Sequence, residues 1–204
     1  MGIADRKAKE KEELKELILQ GALRLFVEKG IEQTTIRNIA ESIDYSVGTV
    51  YVYFKDKNAI LHALHTQGFR QLGGQFGVLR NVINPMERLR AMGNVYIRFA
   101  LENPAMYDLM FNAKAPMVFL TGEDEEWKEG KTAFEALRTT VGQCMEAGHF
   151  AGHQLDPLTF MIWSLVHGMC SLEISHRTQS VDLANVSTIV DQGYTEFLRI
   201  LDKL

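Results

Sequence analysis

Three of the four prolines, Pro85, Pro104 and Pro157, directly follow Asn84, Asn103 and Asp156. An Asn or Asp cap with proline at the first helical position is a helix start with a mechanism. The cap oxygen accepts an orphan backbone N–H, and proline lacks the N–H that would otherwise go unpaired. Around these starts apolar residues recur at helical spacing, and no run sustains the alternation of a half-buried strand. The fold class expected is therefore all-α. Starts and stops divide the chain into about nine helices, over roughly 10–29, 35–42, 46–53, 56–79, 85–102, 104–113, 124–147, 157–178 and 182–203, the fourth with a place to bend at Gly73–Gly74. The first three helices and the start of the fourth make a small N-terminal domain, residues 1–60, and residues 61–204 a larger helical one. No Pro-, Gly- or Ser-rich linker lies between them, so the fourth helix is expected to join them rigidly.

With 204 residues, 46% hydrophobic and 24% charged, the chain can bury a sizeable core and does not have a disordered composition. The longest apolar stretch, Phe160 to Leu172, is interrupted by Ser164, His167 and Gly168. It falls short of the roughly 18 residues that span a bilayer, so no membrane helix is expected. Charges fill the first segment, MGIADRKAKEKEELKELI, where an export signal needs an apolar core, and Arg6 stands where a myristoylation signal needs Ser or Thr. A cytoplasmic protein is expected, with Cys144 and Cys170 as buried thiols. Residues 1–60 hold ten basic and ten acidic side chains, so the formal charge of −4 belongs to the remainder. A neutral first domain does not exclude nucleic acid; it must hold it by a few placed groups.

The most informative stretch is Gln33 to Leu61, QTTIRNIAESIDYSVGTVYVYFKDKNAIL. Thr35 is placed to cap a short helix that turns Ile36, Ile39 and Ala40 inward. After the break Ile43-Asp44-Tyr45, Ser46 caps a second short helix with Val50 and Phe54 inward. Two short helices so tightly joined describe a helix-turn-helix, which lays its second helix in the major groove of DNA. The free N–H groups at Thr35 and Ser46 suit phosphate oxygens. Tyr51 and Tyr53 flank Val52 and cannot both point inward, so at least one is expected to reach phosphate. Lys55 and Lys57 are either solvated or phosphate contacts. Arg6, Lys7, Lys9 and Lys11 form either a disordered solvated tail or an arm that touches the minor groove; Glu10, Glu12 and Glu13 dilute such an arm, so the tail is expected.

Ala22, Leu25, Phe26, Gly30, Thr34-Thr35, Ile39-Ala40, Ser46, Gly48-Thr49, Tyr51, Tyr53-Phe54-Lys55 and Lys57, in this order, closely resemble the tetracycline-repressor-like (TetR) family of bacterial transcription regulators over residues 10–65. A weaker resemblance, through Trp163, His167, Gly168 and the run Asn103-Pro104 to Phe111, points to the family's Trp-His-Gly subgroup. The resemblance implies a ligand-responsive repressor that binds a palindromic double-stranded operator as a homodimer and is released by a small, largely apolar effector. It implies dimerisation through the last two helices, about 157–178 and 182–203, and DNA contacts from Thr35, Arg37, Ser46, Val47, Gly48, Thr49, Tyr51, Tyr53, Lys55 and Lys57. This chain departs from the family pattern at Asp44, Val47 and Val52. Asp44 replaces a turn glycine, which is tolerable because Asp visits the left-handed region. Val47 can touch a thymine methyl and cannot hydrogen-bond guanine.

An effector pocket needs an apolar cavity with a few polar groups. The middle helices supply aromatic and methionine side chains for one, including Met117 and Phe119. Of these, Phe99, Tyr107, Phe111 and Trp163 are expected to face the cavity, with His167 as a further candidate. His167 lies one turn after Trp163 and is first read as a core histidine hydrogen-bonded to a neighbouring helix. The acidic run Glu123 to Glu126 suits the start of a long helix. Gly168, Cys170 and Ser171 are small enough for two long helices to approach closely. No catalytic set is evident and no cofactor is implied: Ser164 and His167 lack an acid and an oxyanion hole. Glu146, His149 and His153 have metal-like spacing, but Gly148 and Gly152 interrupt the helix that would align them, and His62 and His65 have no third ligand. A metal-sensing regulator, or a helical module that has lost operator recognition, are the alternative readings.

Overall fold

The computed structural model describes residues 2–113 and 128–204. Met117, Phe119 and the acidic run Glu123–Glu126 lie outside the described residues. Among the described residues there are nine α-helices and no strand. They are α1 Ile3–Lys29, α2 Ile36–Ser42, α3 Val47–Tyr53, α4 Lys57–Val78, α5 Pro85–Glu102, α6 Pro104–Phe111, α7 Lys128–Glu146, α8 Leu155–Ile174 and α9 Ile189–Leu201. The chain divides into two compact units. One comprises residues 1–68 and 105–126, the other 69–104 and 127–204. The division falls within α4, at Gly68.

In the first unit α1 begins seven residues before the apolar periodicity does. The Gly2 N–H donates to Asp5 Oδ2 at 3.0 Å, and the pairs Arg6–Glu10 (3.2 Å) and Lys9–Glu13 (3.7 Å) follow at i, i+4. Each such pair contributes a few tenths of a kcal/mol. The expected solvated tail is therefore helix. Ile18, Leu19, Ala22, Leu25 and Phe26 of α1 are buried, as are Ile36, Ile39 and Ala40 of α2, Val50 of α3, Phe54, and Ile60, Leu61 and Leu64 of α4. Close approach is seen at Gly21, where a Cβ would lie 2.6 Å from Ile43 Cγ2, and at Gly68, where it would lie 2.3 Å from Met110 Sδ. Asp56 Oδ1 starts α4 by accepting from the Ala59 N–H at 2.8 Å, and Gln67 Nε2 ties α4 to α1 through both Glu16 carboxylate oxygens (2.9 and 3.1 Å).

In the second unit α5, α7 and α8 pack against one another, and α9 against α8. Asn84 Oδ1 accepts from the N–H groups of Met86 (2.9 Å) and Glu87 (3.0 Å), with Pro85 at the first position, so α5 starts as its sequence dictates. The other two starts differ in detail. Asn103 Nδ2 donates to Phe99 O at 2.9 Å, closing α5, and α6 begins at Pro104. Helix α8 begins at Leu155 with Gln154 at its cap, because Asp156 is drawn to Arg138, whose Nε lies 2.6 Å from Asp156 Oδ1.

The last two helices are shorter than their periodicity suggests. Ser175 Oγ donates back to Ser171 O at 2.7 Å, and His176 and Asn185 take left-handed φ values of 56° and 63°. These breaks end α8 at Ile174, delay α9 to Ile189, and leave two short 3₁₀ turns between, Arg177–Ser180 and Val186–Thr188. By length and composition alone α8 reaches the threshold of a membrane span, with mean hydropathy 1.2. Asp156, Ser164, His167 and Glu173 break its apolar surface.

Candidate nucleic-acid interface

The turn between α2 and α3 is built from local hydrogen bonds. Thr35 Oγ1 accepts from the Asn38 N–H at 3.1 Å, and Asn38 Oδ1 accepts in return from the Thr35 N–H (3.1 Å) and hydroxyl (2.8 Å). This reciprocal cap leaves the first-turn N–H groups of Ile36 and Arg37, which no i−4 carbonyl can satisfy, for an acceptor from outside. Asp44 has φ 59°, the left-handed conformation its place in the turn requires, and the Tyr45 N–H returns to Ala40 O at 3.0 Å. Ser46 Oγ then accepts from the Thr49 N–H at 3.0 Å and shares a hydrogen bond with Thr49 Oγ1 at 2.8 Å.

Helix α3 is thereby held with one face sealed and one free. Val50 is fully buried and Phe54 is 4% exposed, while Tyr51 is 52% and Val52 76% exposed. Arg37, Ser46, Gly48 and Lys55 are also exposed, and Val47, Thr49 and Tyr53 half-buried. A Cβ on Gly48 would meet only Ser46 Oγ, at 3.7 Å, so packing within the chain does not require glycine there. Lys57 differs from its companions. Its Nζ donates to Ile31 O at 2.6 Å and reaches Glu32 O at 3.5 Å, so the ammonium anchors the loop between α1 and α2. The outward face of α3 thus offers a phenol, two valines and backbone to a groove, with Arg37 and Lys55 as cations.

Sequence reasoning missed three participants of this region. Asn38 completes the Thr35 cap, a role signalled by its place three residues on. Arg24 Nη2 donates to Ser42 O at 3.0 Å, holding the end of α2. Tyr45, 45% exposed, shares a surface groove with Val52, Tyr53 and the N-terminal turns of α1.

The candidate effector residues fall in both units. In the second, Phe99 is 1% exposed and Trp163 half-buried, its ring edge-on to Phe134 at 5.8 Å and 6.1 Å from that of His167. His167 Nδ1 lies 3.0 Å from the Tyr96 hydroxyl on α5, and burial lowers the imidazole pKa below its ordinary 6.5. In the first unit Tyr107 is fully buried, with the half-buried Phe111 ring 4.9 Å away. Cys144 and Cys170 are both buried, and burial pushes their thiols up to about 11 and about 12. Among the described residues no three of His, Cys, Asp and Glu converge as metal ligands would. Gly148, Phe150 and Gly152, with φ of 94°, 60° and 82°, turn the chain between Glu146 and His153.

An all-α chain with a capped helix-turn-helix near its N-terminus and a separate helical core belongs to the class of helical DNA-binding regulators. Residues 18–64 match the family model of bacterial regulatory proteins of the tetR family, and residues 89–195 match the tetracyclin repressor-like C-terminal domain. The chain belongs to the tetracycline-repressor-like family, which is one of regulators and not of enzymes. The C-terminal match assigns no Trp-His-Gly subgroup. Among relatives, the chain is 32% identical over 72 residues to the HTH-type transcriptional repressor Rv1474c of Mycobacterium tuberculosis, covering 32% of this chain and 38% of that one. It is 29% identical over 103 residues to the HTH-type transcriptional repressor AcnR of Corynebacterium glutamicum, covering 48% and 53%. These matches span about half or less of the relatives' own lengths. The crystal structure of the TetR-family transcriptional regulator PfmR from Thermus thermophilus has the same fold, with a TM-score of 0.69 at 20% identity over 89% of this chain and 97% of that one.

Proposed function

We propose that the chain is a transcriptional repressor that binds a palindromic operator as a homodimer and is released by a small, largely apolar effector. Residues 1–60 serve as its DNA-reading domain and residues 61–204 as the effector-binding and dimerising one. The observation that carries the reading is α3, with Val50 and Phe54 sealed into the core while Gly48, Tyr51 and Val52 face outward. Gly48 lets a sugar–phosphate backbone approach closely, the Tyr51 hydroxyl and Lys55 donate to phosphate, and Val47 and Val52 meet thymine methyl groups. Thr35, Arg37, Ser46 and Thr49 support the contact from the two helix starts, Tyr53 from the flank of α3, and Lys57 by fixing the loop before α2. A preference for A·T pairs at the positions read by α3 follows from its lack of guanine-pairing side chains.

Phe99, Trp163 and His167 are proposed for the effector, with Tyr107 and Phe111 as further candidates. The His167–Tyr96 pair is a polar group set among aromatic rings, the composition a small-molecule pocket needs. Dimerisation is assigned to α8 and α9. Met161, Leu165 and Leu172 are 65%, 40% and 53% exposed and, with Gly168, recur at i, i+4, i+7 and i+11. A cytoplasmic location goes with this reading. The test is quantitative operator binding: Tyr51→Ala weakens it by about 1 kcal/mol per half-site, the scale of one lost hydrogen bond. Unchanged affinity removes α3 from the interface.

A further inference from the structure

The groove beside α3 has a chemistry that the helix-turn-helix does not explain. One wall is the N-terminal part of α1, which contributes Lys7, Lys11, Leu14 and Leu17; the other is Tyr45, Val52 and Tyr53. Lys7 and Lys11 stand at i, i+4 on one face of the helix, and both are exposed. Glu10 and Glu13 line the groove too, each paired along the helix, with Arg6 at 3.2 Å and with Lys9 at 3.7 Å. Neither Lys7 nor Lys11 is ion-paired among the described residues. Two ammonium groups and two phenols therefore line a groove together with the apolar side chains of Leu14, Leu17 and Val52. Cations and hydroxyl donors suit phosphate oxygens, and aliphatic surface suits the deoxyribose between them.

We propose that Lys7 and Lys11 form a second DNA contact, in which the N-terminal turns of α1 grip the sugar–phosphate backbone flanking the base pairs read by α3. This rests on the DNA-binding reading above and extends the interface to a segment that lies before the helix-turn-helix. The contact carries no base specificity, so it adds affinity and salt dependence without altering the preferred sequence. It places two ammonium groups of the overall neutral first domain beside α3, while Glu10 and Glu13 pair along α1 with Arg6 and Lys9.

The experiment measures operator affinity of the full chain against potassium chloride concentration for wild type, Lys7→Ala/Lys11→Ala, Lys7→Arg/Lys11→Arg and Lys203→Ala. Each lost phosphate contact lowers the magnitude of the log K against log salt slope by about 0.9. The alanine pair is expected to lower it by about two per bound protomer with the preferred sequence unchanged. The arginine pair restores the wild-type slope, and Lys203→Ala, in the other unit, keeps it. A wild-type slope in the alanine pair, with operator binding intact, overturns this proposal and leaves α3's role standing. A wild-type chain with no salt-dependent duplex binding overturns both.

Discussion

Asp44 shows how much one residue's backbone decides. Its φ of 59° is a conformation that costs most L-residues roughly 1–2 kcal/mol and Asp less, and the turn cannot close without it. Replacing it by glycine leaves stability unchanged or raises it by up to about 1 kcal/mol, while Asp44→Val lowers it by about 1–2 kcal/mol in urea unfolding. An equal stability for the three chains contradicts the assignment. His167 makes a different statement. Burial lowers its pKa below 6.5, so as pH falls the unfolded imidazole takes up its proton before the folded one. The unfolded state then binds more protons, and this residue's contribution to stability is lost as pH drops from about 6.5 toward the folded pKa. The thermal midpoint is expected to fall over that interval more steeply in wild type than in His167→Asn; parallel curves argue against a buried imidazole.

Elements were legible in the sequence where their signals are local. The α2–turn–α3 unit follows from Thr35, Ser46 and Asp44, each of which acts within three residues of itself. Helix α5 follows from Asn84-Pro85 in the same way. What escaped was decided by distant partners or by alternatives with no sequence mark. Asp156 reads as a cap until Arg138, 18 residues earlier, takes its carboxylate. The break at 175–188 contains neither glycine nor proline, so nothing announces His176 and Asn185 as left-handed. The start of α1 was hidden because its first turns are charged throughout and stabilised by ion pairs instead of burial. At this scale the stripe on α8 makes its own prediction. Leu165→Glu places a charge in the proposed dimer contact, and gel filtration with light scattering is expected to show a folded monomer at micromolar concentration. A dimer that persists moves the interface elsewhere.

For the whole molecule, a formal charge of −4 decides little about DNA, because what counts is where the individual charges stand. Charge on the first unit is arranged more than it is abundant: Lys57 anchors a loop, Arg6 and Lys9 pair with carboxylates, and Arg37, Lys55, Lys7 and Lys11 remain outward. The helix-turn-helix part of the candidate DNA surface was readable from residues 33–61, while Lys7, Lys11 and Arg24 lie outside that stretch and Lys57 turns out to hold the Ile31 carbonyl. The candidate effector set was less so, since helical spacing marks aromatic side chains as buried without saying which share a cavity. The most direct test of the central claim is selection of bound duplexes from a random pool by the purified full chain. An enriched inverted repeat is expected, with half-sites about one helical turn apart, roughly 10–10.5 base pairs centre to centre, or a multiple of it, and A·T pairs at the positions read by α3. A pool that binds without any enriched sequence, or a single unrepeated site, contradicts it.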